Sequence, residues 1–507
     1  MLLRLFTRCS EDGPAYFLTI TQSNNNFLVR PSKMMISNIG FQRATNFATP
    51  RLGKFANLLL FLGGGLGVVV LLHHPFLAIA IVGGVLTAIL KLPIFARINL
   101  AMAGLCCGFL IYAAEMGLEL YGTAKYRYNQ EAVRRLAESN AGRFDNRTER
   151  EVLRDLRQIS PSVYQEFFPG AMLVQSDSST GRSRIQIRGI EVLPLGGIAN
   201  ATIVSCNENG IYQIYDSDEH GFRNPKGIWG HGPIEVLAIG DSIAHDDCLP
   251  SDLAMMGQIR RQYPATLSLG AGGNGPLLEL AAFHEYAAKL RPKVVLWLFC
   301  EYNDIPDDLD REVKSPLLMK YLNGGFDQHL IERQSDINRA LQAFSEREYE
   351  KHRLTDETQA GVSHQLLRFA ELEELRLAWW RSRNRPKPHL DVFQQALTSV
   401  KEAISSWNGR LYLVYLPAFP RYRKIPFESQ NIANYDQIHT QVIDMMSKLS
   451  IPVIDVFTAF QIPYRNGVKL VYPYIRSHYT PEGYRIAAQT VLDSLTASGQ
   501  LENSNGK

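Results

Sequence analysis

The stretch Val236-Leu237-Ala238-Ile239-Gly240-Asp241-Ser242 decides how the rest of the chain is interpreted. A short apolar run that stops at a turn signal is typical of a buried strand in a parallel sheet. Ligands of such sheets bind beyond the carboxyl ends of the strands, which is where Ser242 stands. A serine hydroxyl becomes a nucleophile only when a neighbouring base removes its proton. A base and donors to an oxyanion are therefore expected elsewhere in the chain.

Composition limits the kind of chemistry that the chain can perform. The 507 residues carry a formal charge of +3, and 46% of them are apolar, which allows two or three units with a sizeable core. So small a charge gives no sign of nucleic-acid binding. No Walker, G-x-G-x-x-G, H-E-x-x-H or C-x-x-C pattern stands in the context that a cofactor or metal site requires. The sequence predicts chemistry without a cofactor or a metal, and no nucleic-acid partner.

The N-terminal part of the chain has the pattern of a membrane anchor. A basic segment, 1–54, shows no helical or strand period, and three apolar runs without charged residues follow it at 55–72, 75–90 and 98–114. Each run is close to the shortest length that spans a hydrocarbon core. The interpretation is three transmembrane helices within 55–118. The alternatives are buried helices of a soluble domain, or one hairpin with an interfacial helix.

The distribution of positive charge predicts how these helices are oriented. Basic residues flank the first run and lie between the second and third, at Lys91 and Arg97, whereas the first turn carries only histidines and a proline. By the positive-inside rule the N-terminus and the second turn face the cytoplasm. The residues beyond 118 then lie outside it, in the periplasm if the membrane is a Gram-negative inner membrane. In that oxidising space Cys206 and Cys248 can pair, but the favoured alternative is three buried free thiols.

The remaining chain alternates between strands and helices. Residues 119–230 form an extension or connector, with helical spacing first and short β-like runs later. From 231 to 305 and from 409 to 498 strand and helix patterns alternate, which predicts an α/β fold with a parallel sheet. Between them, 306–408 is a charged helical insertion, interpreted as a solvated cap or as a lid. Its pair Trp379-Trp380 either stacks on a sugar or, as favoured here, packs in a core.

Polar motifs stand at successive strand ends. They are Gly240-Asp241-Ser242, the run 270–275 (GAGGNG), Glu301-Tyr302-Asn303-Asp304, Asp455 on a late strand, and Ser477-His478 before the last helix. A serine, glycine amides, an asparagine amide and a histidine supply a nucleophile, oxyanion donors and a general base for acyl transfer. This set of residue types therefore indicates serine-based acyl chemistry.

Each motif also has a structural alternative. Ser242 can cap a helix, the run 270–275 can be a tight turn, Asn303 can form an Asx-turn, and His478 can be a capping or core histidine. Asp241 and Asp304 are interpreted as structural residues that hold the loops of their neighbours. His245, on a presumed helix after Ser242, is interpreted as structural or pocket-lining.

The arrangement of these motifs resembles the SGNH (GDSL) hydrolase family. Ser242 in Gly-Asp-Ser resembles the family's nucleophile, and Gly273 resembles the oxyanion glycine. Asn303 is similar to the oxyanion asparagine, and His478, followed by Thr-Pro-Glu-Gly-Tyr, is similar to the base. The resemblance implies a three-layer, flavodoxin-like parallel sheet and a serine esterase that needs no cofactor.

The resemblance covers 231–305 and 410–496, and it departs from the family's pattern at Ser268, Glu301 and Ile475. The last departure matters most, because the family usually has an aspartate three residues before its histidine. Without that carboxylate another group must hold the tautomer of the His478 imidazole. Asp455 is the candidate acid, and a Ser242/His478 dyad is the alternative.

The resemblance implies substrates among small acyl esters, lipids and acetylated carbohydrates. Combined with the predicted topology, it favours a membrane-anchored esterase that removes acyl groups, above all O-acetyl groups, from cell-envelope carbohydrate outside the cytoplasm. One alternative is an O-acyltransferase subunit that uses the same serine and receives its acyl group from a separate membrane subunit. The other is a non-catalytic scaffold or glycan-binding protein on a degenerate hydrolase fold.

Overall fold

The computed structural model describes residues 16–23, 26–33, 89, 91–139, 144–173, 181–230, 232–359, 362–423, 425–426, 432–474 and 478–501. The chain divides into two compact units. One comprises Met1–Gly117 with Phe369–Glu373, and the other Leu118–Arg368 with Glu374–Lys507. The basic segment expected to lack regular structure contains an antiparallel hairpin of β1 (Tyr16–Ser23) and β2 (Asn26–Lys33). That expectation is therefore wrong for these strands.

The apolar helix α1 (Ile94–Ser139) contains the third predicted membrane run. It is long and apolar enough to cross a membrane, and almost none of its apolar window is buried. It continues well beyond 118, where Glu131 pairs with Arg134 at 2.8 Å and Arg135 at 2.9 Å along the helix. The run 55–72, and the run 75–90 apart from residue 89, lie outside the described residues.

The extension after α1 begins with α2 (Glu149–Arg157), which starts at a capping box formed by Thr148 and Glu151. Its strands are β3 (Val163–Gln165), β4 (Gln186–Ile187), β5 (Ile190–Glu191), β6 (Thr202–Val204) and β7 (Ile214–Asp216). In the described chain β3, β6 and β7 form a small sheet, with β6 parallel to β3 and antiparallel to β7. The loop between β6 and β7 points a polar segment toward the site described below.

The parallel sheet of the second unit contains, among the described residues, five strands. They are β8 (Val236–Gly240), β9 (Thr266–Ser268), β10 (Val294–Cys300), β11 (Arg410–Leu416) and β12 (Val453–Asp455). The spatial order is β12-β11-β10-β8-β9, and every neighbouring pair is parallel. This is the 2-1-3-4-5 order of flavodoxin-like sheets, whose ligands bind beside the first strand. The predicted parallel α/β sheet is confirmed.

Helices cover both faces of this sheet. In chain order they and the insertion helices are α3 (Met255–Gln262), α4 (Pro276–Ala282), α5 (Ala288–Leu290), α6 (Leu309–Glu312), α7 (Gln334–Gln359), α8 (Val362–Ala370), α9 (Glu373–Arg383), α10 (Leu390–Ser405), α11 (Ile432–Leu449), α12 (Val456–Arg465) and α13 (Pro481–Ser498). Helices α4, α10 and α11 pack on one face, together with apolar residues of the extension. Helices α3, α12 and α13 pack on the other. The extension therefore shares a core with the sheet.

Short π and 3-10 turns connect several of these elements. They occupy Pro169–Met172, Ile228–Gly230, Phe283–Ala287, Asp304–Asp308, Leu318–Asn323 and Phe419–Arg421. Helix α10, at the end of the predicted insertion, buries Phe393 and Leu397 in the core and leads into β11. It is thus a crossover helix of the sheet. Trp379 and Trp380 on α9 are exposed, so the expectation of core packing for this pair is wrong.

Candidate active site

Ser242 lies directly beyond the carboxyl end of β8. The carboxylate of Asp241 accepts a hydrogen bond from the N–H of Ile243 at 3.0 Å and fixes the start of the loop. The residues after Ser242 form a series of turns, and α3 begins only later. The presumed helix at His245 is therefore wrong. Ser242 itself remains partly exposed, although both of its chain neighbours are buried.

The loop 241–254, between β8 and α3, is called the nucleophile loop. His478 stands just before α13 and reaches this loop across the sheet edge. Its Nε2 atom lies 2.9 Å from the Oγ atom of Ser242. The ring of Phe419 meets the imidazole edge-on at 5.6 Å between centroids, and Thr480 caps the helix that follows. The structure thus brings together the two residues that the sequence predicted as nucleophile and base, although they lie 236 positions apart.

Glu208 completes this series of contacts, and sequence reasoning missed it. It lies in the loop between β6 and β7 of the extension. Its Oε1 atom is 2.8 Å from Nδ1 of His478, and its Oε2 atom accepts the backbone N–H of the same residue at 2.8 Å. A carboxylate at Nδ1 keeps a proton on that nitrogen, so Nε2 becomes the atom that exchanges a proton with Ser242.

The environment of His478 raises its proton affinity. Burial lowers the pKa of the imidazole, but the charge of Glu208 and its hydrogen bond outweigh burial, with Asp247 and Asp241 adding to the rise, and the pKa reaches about 9. The charged form of the His478 imidazole is therefore stabilised relative to the neutral form.

Asp455, the acid expected from sequence, lies in another part of the sheet edge. Its Oδ1 atom accepts the N–H of Phe457 at 3.0 Å and caps α12. Its Oδ2 atom is 3.4 Å from Nε2 of His439. Glu208 therefore replaces Asp455 at the imidazole of His478, which corrects the expectation. Ile475 lies outside the described residues.

Gly273 lies in the loop after β9, with a φ of +68° that favours glycine. Its carbonyl oxygen accepts a hydrogen bond from Nη2 of Arg311 at 2.7 Å, and Arg311 pairs with Asp308 at 2.9 Å. These contacts fix the orientation of the glycine carbonyl. Gly273 is partly exposed, like Ser242. The role of the Gly273 N–H as an oxyanion donor stays a prediction.

Asn303 follows β10 and reaches the base of the nucleophile loop. Its Nδ2 atom donates to Asp308 at 2.6 Å and to Asp241 at 3.3 Å. An amide NH₂ has two hydrogens, and both are used in this arrangement. Donation to an oxyanion would require exchange of the longer bond, so this role also stays a prediction. Asp304 accepts the N–H of Cys300 at 2.7 Å and holds the loop, as interpreted from sequence.

Cys206 and Cys248 form a disulfide, so the alternative of three free thiols is wrong. Cys206 precedes Glu208 in the β6–β7 loop, and Cys248 follows Ser242 in the nucleophile loop. The bond therefore ties the segment that carries the acid to the segment that carries the nucleophile. Cys300 keeps a buried free thiol.

A second polar cluster joins the loop after Ser242 to other parts of the extension, at Glu166 after β3 and Tyr215 on β7. Nδ1 of His245 contacts Asp247 and lies 3.0 Å from Glu166, and its Nε2 lies 3.0 Å from the hydroxyl of Tyr215. The donor atoms of the histidine and two carboxylates are close enough for one metal ion. Burial lowers the pKa of His245, but Asp247 and Glu166 raise it to about 10.

No protein-family model matches this chain, and no curated protein matches its sequence. Among solved structures, an acetyl xylan esterase is similar over 52% of this chain and 100% of its own, at 12% identity and a TM-score of 0.30. A proposed acylhydrolase from Bacteroides fragilis is similar over 53% and 90%, at 13% identity and 0.28. A lipolytic G-D-S-L protein from Veillonella parvula is similar over 52% and 98%, at 11% identity and 0.27. Likenesses at such TM-scores establish neither fold nor activity here.

Proposed function

We propose that the chain is a serine esterase with Ser242 as nucleophile, His478 as general base and Glu208 as the acid that holds the base. The observation that supports this proposal is the continuous series of contacts from Oγ to Nε2 at 2.9 Å and from Nδ1 to a carboxylate oxygen at 2.8 Å. A nucleophile, a base and an orienting acid within hydrogen-bonding distance are the geometric signature of nucleophilic acyl transfer.

In the proposed reaction the Oγ atom of Ser242 attacks the ester carbonyl carbon while Nε2 of His478 takes the hydroxyl proton. Glu208 stabilises the resulting imidazolium, which then protonates the departing alcohol. The N–H groups of Ser242 and Gly273 and the amide of Asn303 are the proposed donors to the oxyanion. Water then attacks the acyl-enzyme by the reverse proton route, releasing the acid and restoring Ser242. No step requires a metal or a cofactor.

The proposed location is outside the cytoplasm, with the chain held in the membrane by α1 and by the two apolar runs before it. The apolar helix supports an anchor. The disulfide between Cys206 and Cys248 supports an oxidising compartment such as a periplasm. The proposed substrates are O-acetyl or other small acyl esters on cell-envelope carbohydrate, the ester-bearing polymers that such a compartment holds.

Labelling with a fluorophosphonate probe tests the proposal directly. The full chain in detergent should be labelled and should hydrolyse p-nitrophenyl acetate, and Ser242→Ala should abolish both. Ser251→Ala is the matched control, because this serine lies exposed in the same loop region and should be dispensable. Labelling that survives Ser242→Ala, or folded wild-type chain that neither labels nor hydrolyses, would overturn the proposal.

The acyl acceptor requires a separate measurement. Purified full chain incubated with O-acetylated polysaccharide should release free acetate, detected by an enzyme-coupled assay, and Ser242→Ala should not. Acetate that appears instead on an added unacetylated glycan, with little free acetate, would show transfer and contradict the proposed hydrolysis.

A further inference from the structure

Four large apolar side chains are exposed on two successive helices of the insertion. Leu366 and Leu367 on α8 are 64% and 56% exposed, and Trp379 and Trp380 on α9 are 62% and 57% exposed. We call these four residues the apolar patch. Each of the two helices thus exposes two adjacent large apolar side chains, and exposed apolar surface with polar residues around it marks contact with a protein partner or a membrane. The described residues of α9 include none that is buried, so its tryptophans have no core to occupy.

The sequence around the apolar patch is basic. Between 366 and 387 it has six basic residues against three acidic ones, a formal charge of +3; they are Arg368, Arg376, Arg381, Arg383, Arg385 and Lys387 against Glu371, Glu373 and Glu374. The guanidinium of Arg383 lies over the ring of Trp379, 4.9 Å from its centroid. Tryptophan beside arginine is typical of the zone where a bilayer meets water, and arginine is attracted to anionic headgroups.

Contacts within the first unit join α1 to the last two residues of α8. The hydroxyl of Tyr112 on α1 donates to the carbonyl oxygen of Ala370 at 3.2 Å, and its ring lies 5.5 Å from that of Phe369. Tyr112 stands near the end of the apolar run 98–114, where a membrane-spanning helix reaches the bilayer surface. Phe369 and Ala370 end α8, and Leu366 and Leu367 stand two to four residues before them in the same helix.

We propose that the apolar patch binds the surface of an anionic bilayer, with the leucines and tryptophans among the acyl-chain ends of the headgroup zone and the arginines on lipid phosphates. This inference rests on the proposed membrane anchor. A glycan would use the aromatic rings but has no use for two exposed leucines, whereas a lipid surface accommodates both. The insertion is thereby a second point of membrane attachment, apart from the catalytic residues.

Quenching of tryptophan fluorescence by brominated lipids tests this surface. Full chain is reconstituted in phosphatidylglycerol-containing liposomes whose acyl chains carry bromine near the headgroup. The lipid should quench the wild-type emission, and Trp379→Phe/Trp380→Phe should lose most of that quenching. Trp407→Phe, a partly buried tryptophan of the second unit, is the matched control and should keep it. Arg381→Gln/Arg383→Gln should weaken the quenching more in anionic than in phosphatidylcholine liposomes.

The outcomes separate this proposal from the anchor and from the esterase. Chain that does not float with liposomes overturns the anchor and the surface together. Flotation without quenching that depends on Trp379 and Trp380 overturns the surface alone. The same conclusion follows if added glycan or protein, and not lipid, protects the fluorescence of these two tryptophans from quenching by iodide. Hydrolysis of p-nitrophenyl acetate by the double tryptophan variant should equal that of wild type, and this reports on the esterase independently.

Discussion

The parallel sheet and the extension contribute to the candidate site in different ways. Ser242 and His478 lie on loops at the carboxyl edge of the sheet, where topology brings the ends of distant strands together. Glu208 comes from a loop between two short strands of the extension. A nucleophile and its base must share one edge, but an acid needs only to reach the far nitrogen of the imidazole. The acid can therefore come from any element packed nearby.

Four connections join the extension to the sheet. The disulfide of Cys206 and Cys248 joins the β6–β7 loop, which carries Glu208, to the nucleophile loop. The cluster around His245 joins the nucleophile loop to Glu166, which follows β3 of the extension. The guanidinium of Arg223 in the extension donates to backbone carbonyls of the nucleophile loop, and apolar residues of both parts share one core. Cutting any one connection should affect the site more than it affects the sheet.

The largest effect that distinguishes the two regions is expected from Glu208→Gln. The new amide presents an N–H to Nδ1 of His478, which favours the tautomer with its proton on Nε2 and removes the charge that stabilises the imidazolium. We expect kcat/KM for p-nitrophenyl acetate to fall by about 10³-fold. Stopped assays on the purified full chain, with melting temperature measured in parallel, check this. A variant that keeps more than a tenth of the wild-type rate would break the comparison and leave a Ser242/His478 dyad.

The next largest effect is expected when the disulfide is removed by Cys206→Ser/Cys248→Ser. The bond closes a loop of sequence separation 42, for which chain entropy alone gives about 4 kcal/mol of stability. Because Glu208 is two positions from Cys206, we also expect the rate to fall by at least about tenfold while the sheet remains folded.

Dithiothreitol should lower the rate of wild type and leave the rate of this double variant unchanged. Cys106→Ser/Cys107→Ser, which replaces two exposed free thiols, is the matched control. Circular dichroism reports whether the sheet is intact. Full activity after reduction would show that the shared core alone holds Glu208 in place.

The same contrast explains how much could be predicted from sequence. The sheet and the meeting of Ser242 with His478 were predictable because strand-end motifs are local: an apolar run followed by Gly-Asp-Ser, or His followed by a helix start. Glu208 was not, because it meets His478 from 270 positions away and its own loop has no distinguishing pattern. The signal that could have found Glu208 was the pairing of Cys206 with Cys248, because Cys206 lies two positions before Glu208 and the bond places their loop beside Ser242.

A smaller, directional effect is expected in the pH dependence. His478 must be neutral to act as a base, so wild-type kcat/KM should rise with pH until about 9, where the imidazole loses its proton. Glu208→Gln removes the charge that raises this pKa, while burial still lowers it, so the rising limb should move to lower pH. The raised pKa also stabilises the folded chain below about pH 6.5, and this stability is lost as pH rises through 9. If the rising part of the pH profile stays at the same pH in Glu208→Gln, Glu208 does not raise the pKa of His478, which contradicts its proposed role.

The smallest effect is expected from Asp455→Asn, which sharpens the comparison within the sheet itself. Asp455 caps α12 through the N–H of Phe457 and neighbours His439, and asparagine can cap a helix almost as well. We therefore expect kcat/KM within about twofold of wild type and a loss of stability of at most about 1 kcal/mol in urea unfolding. A fall in rate comparable to that of Glu208→Gln, at unchanged stability, would return the role of acid to this strand end. The acid position would then follow from sheet topology after all.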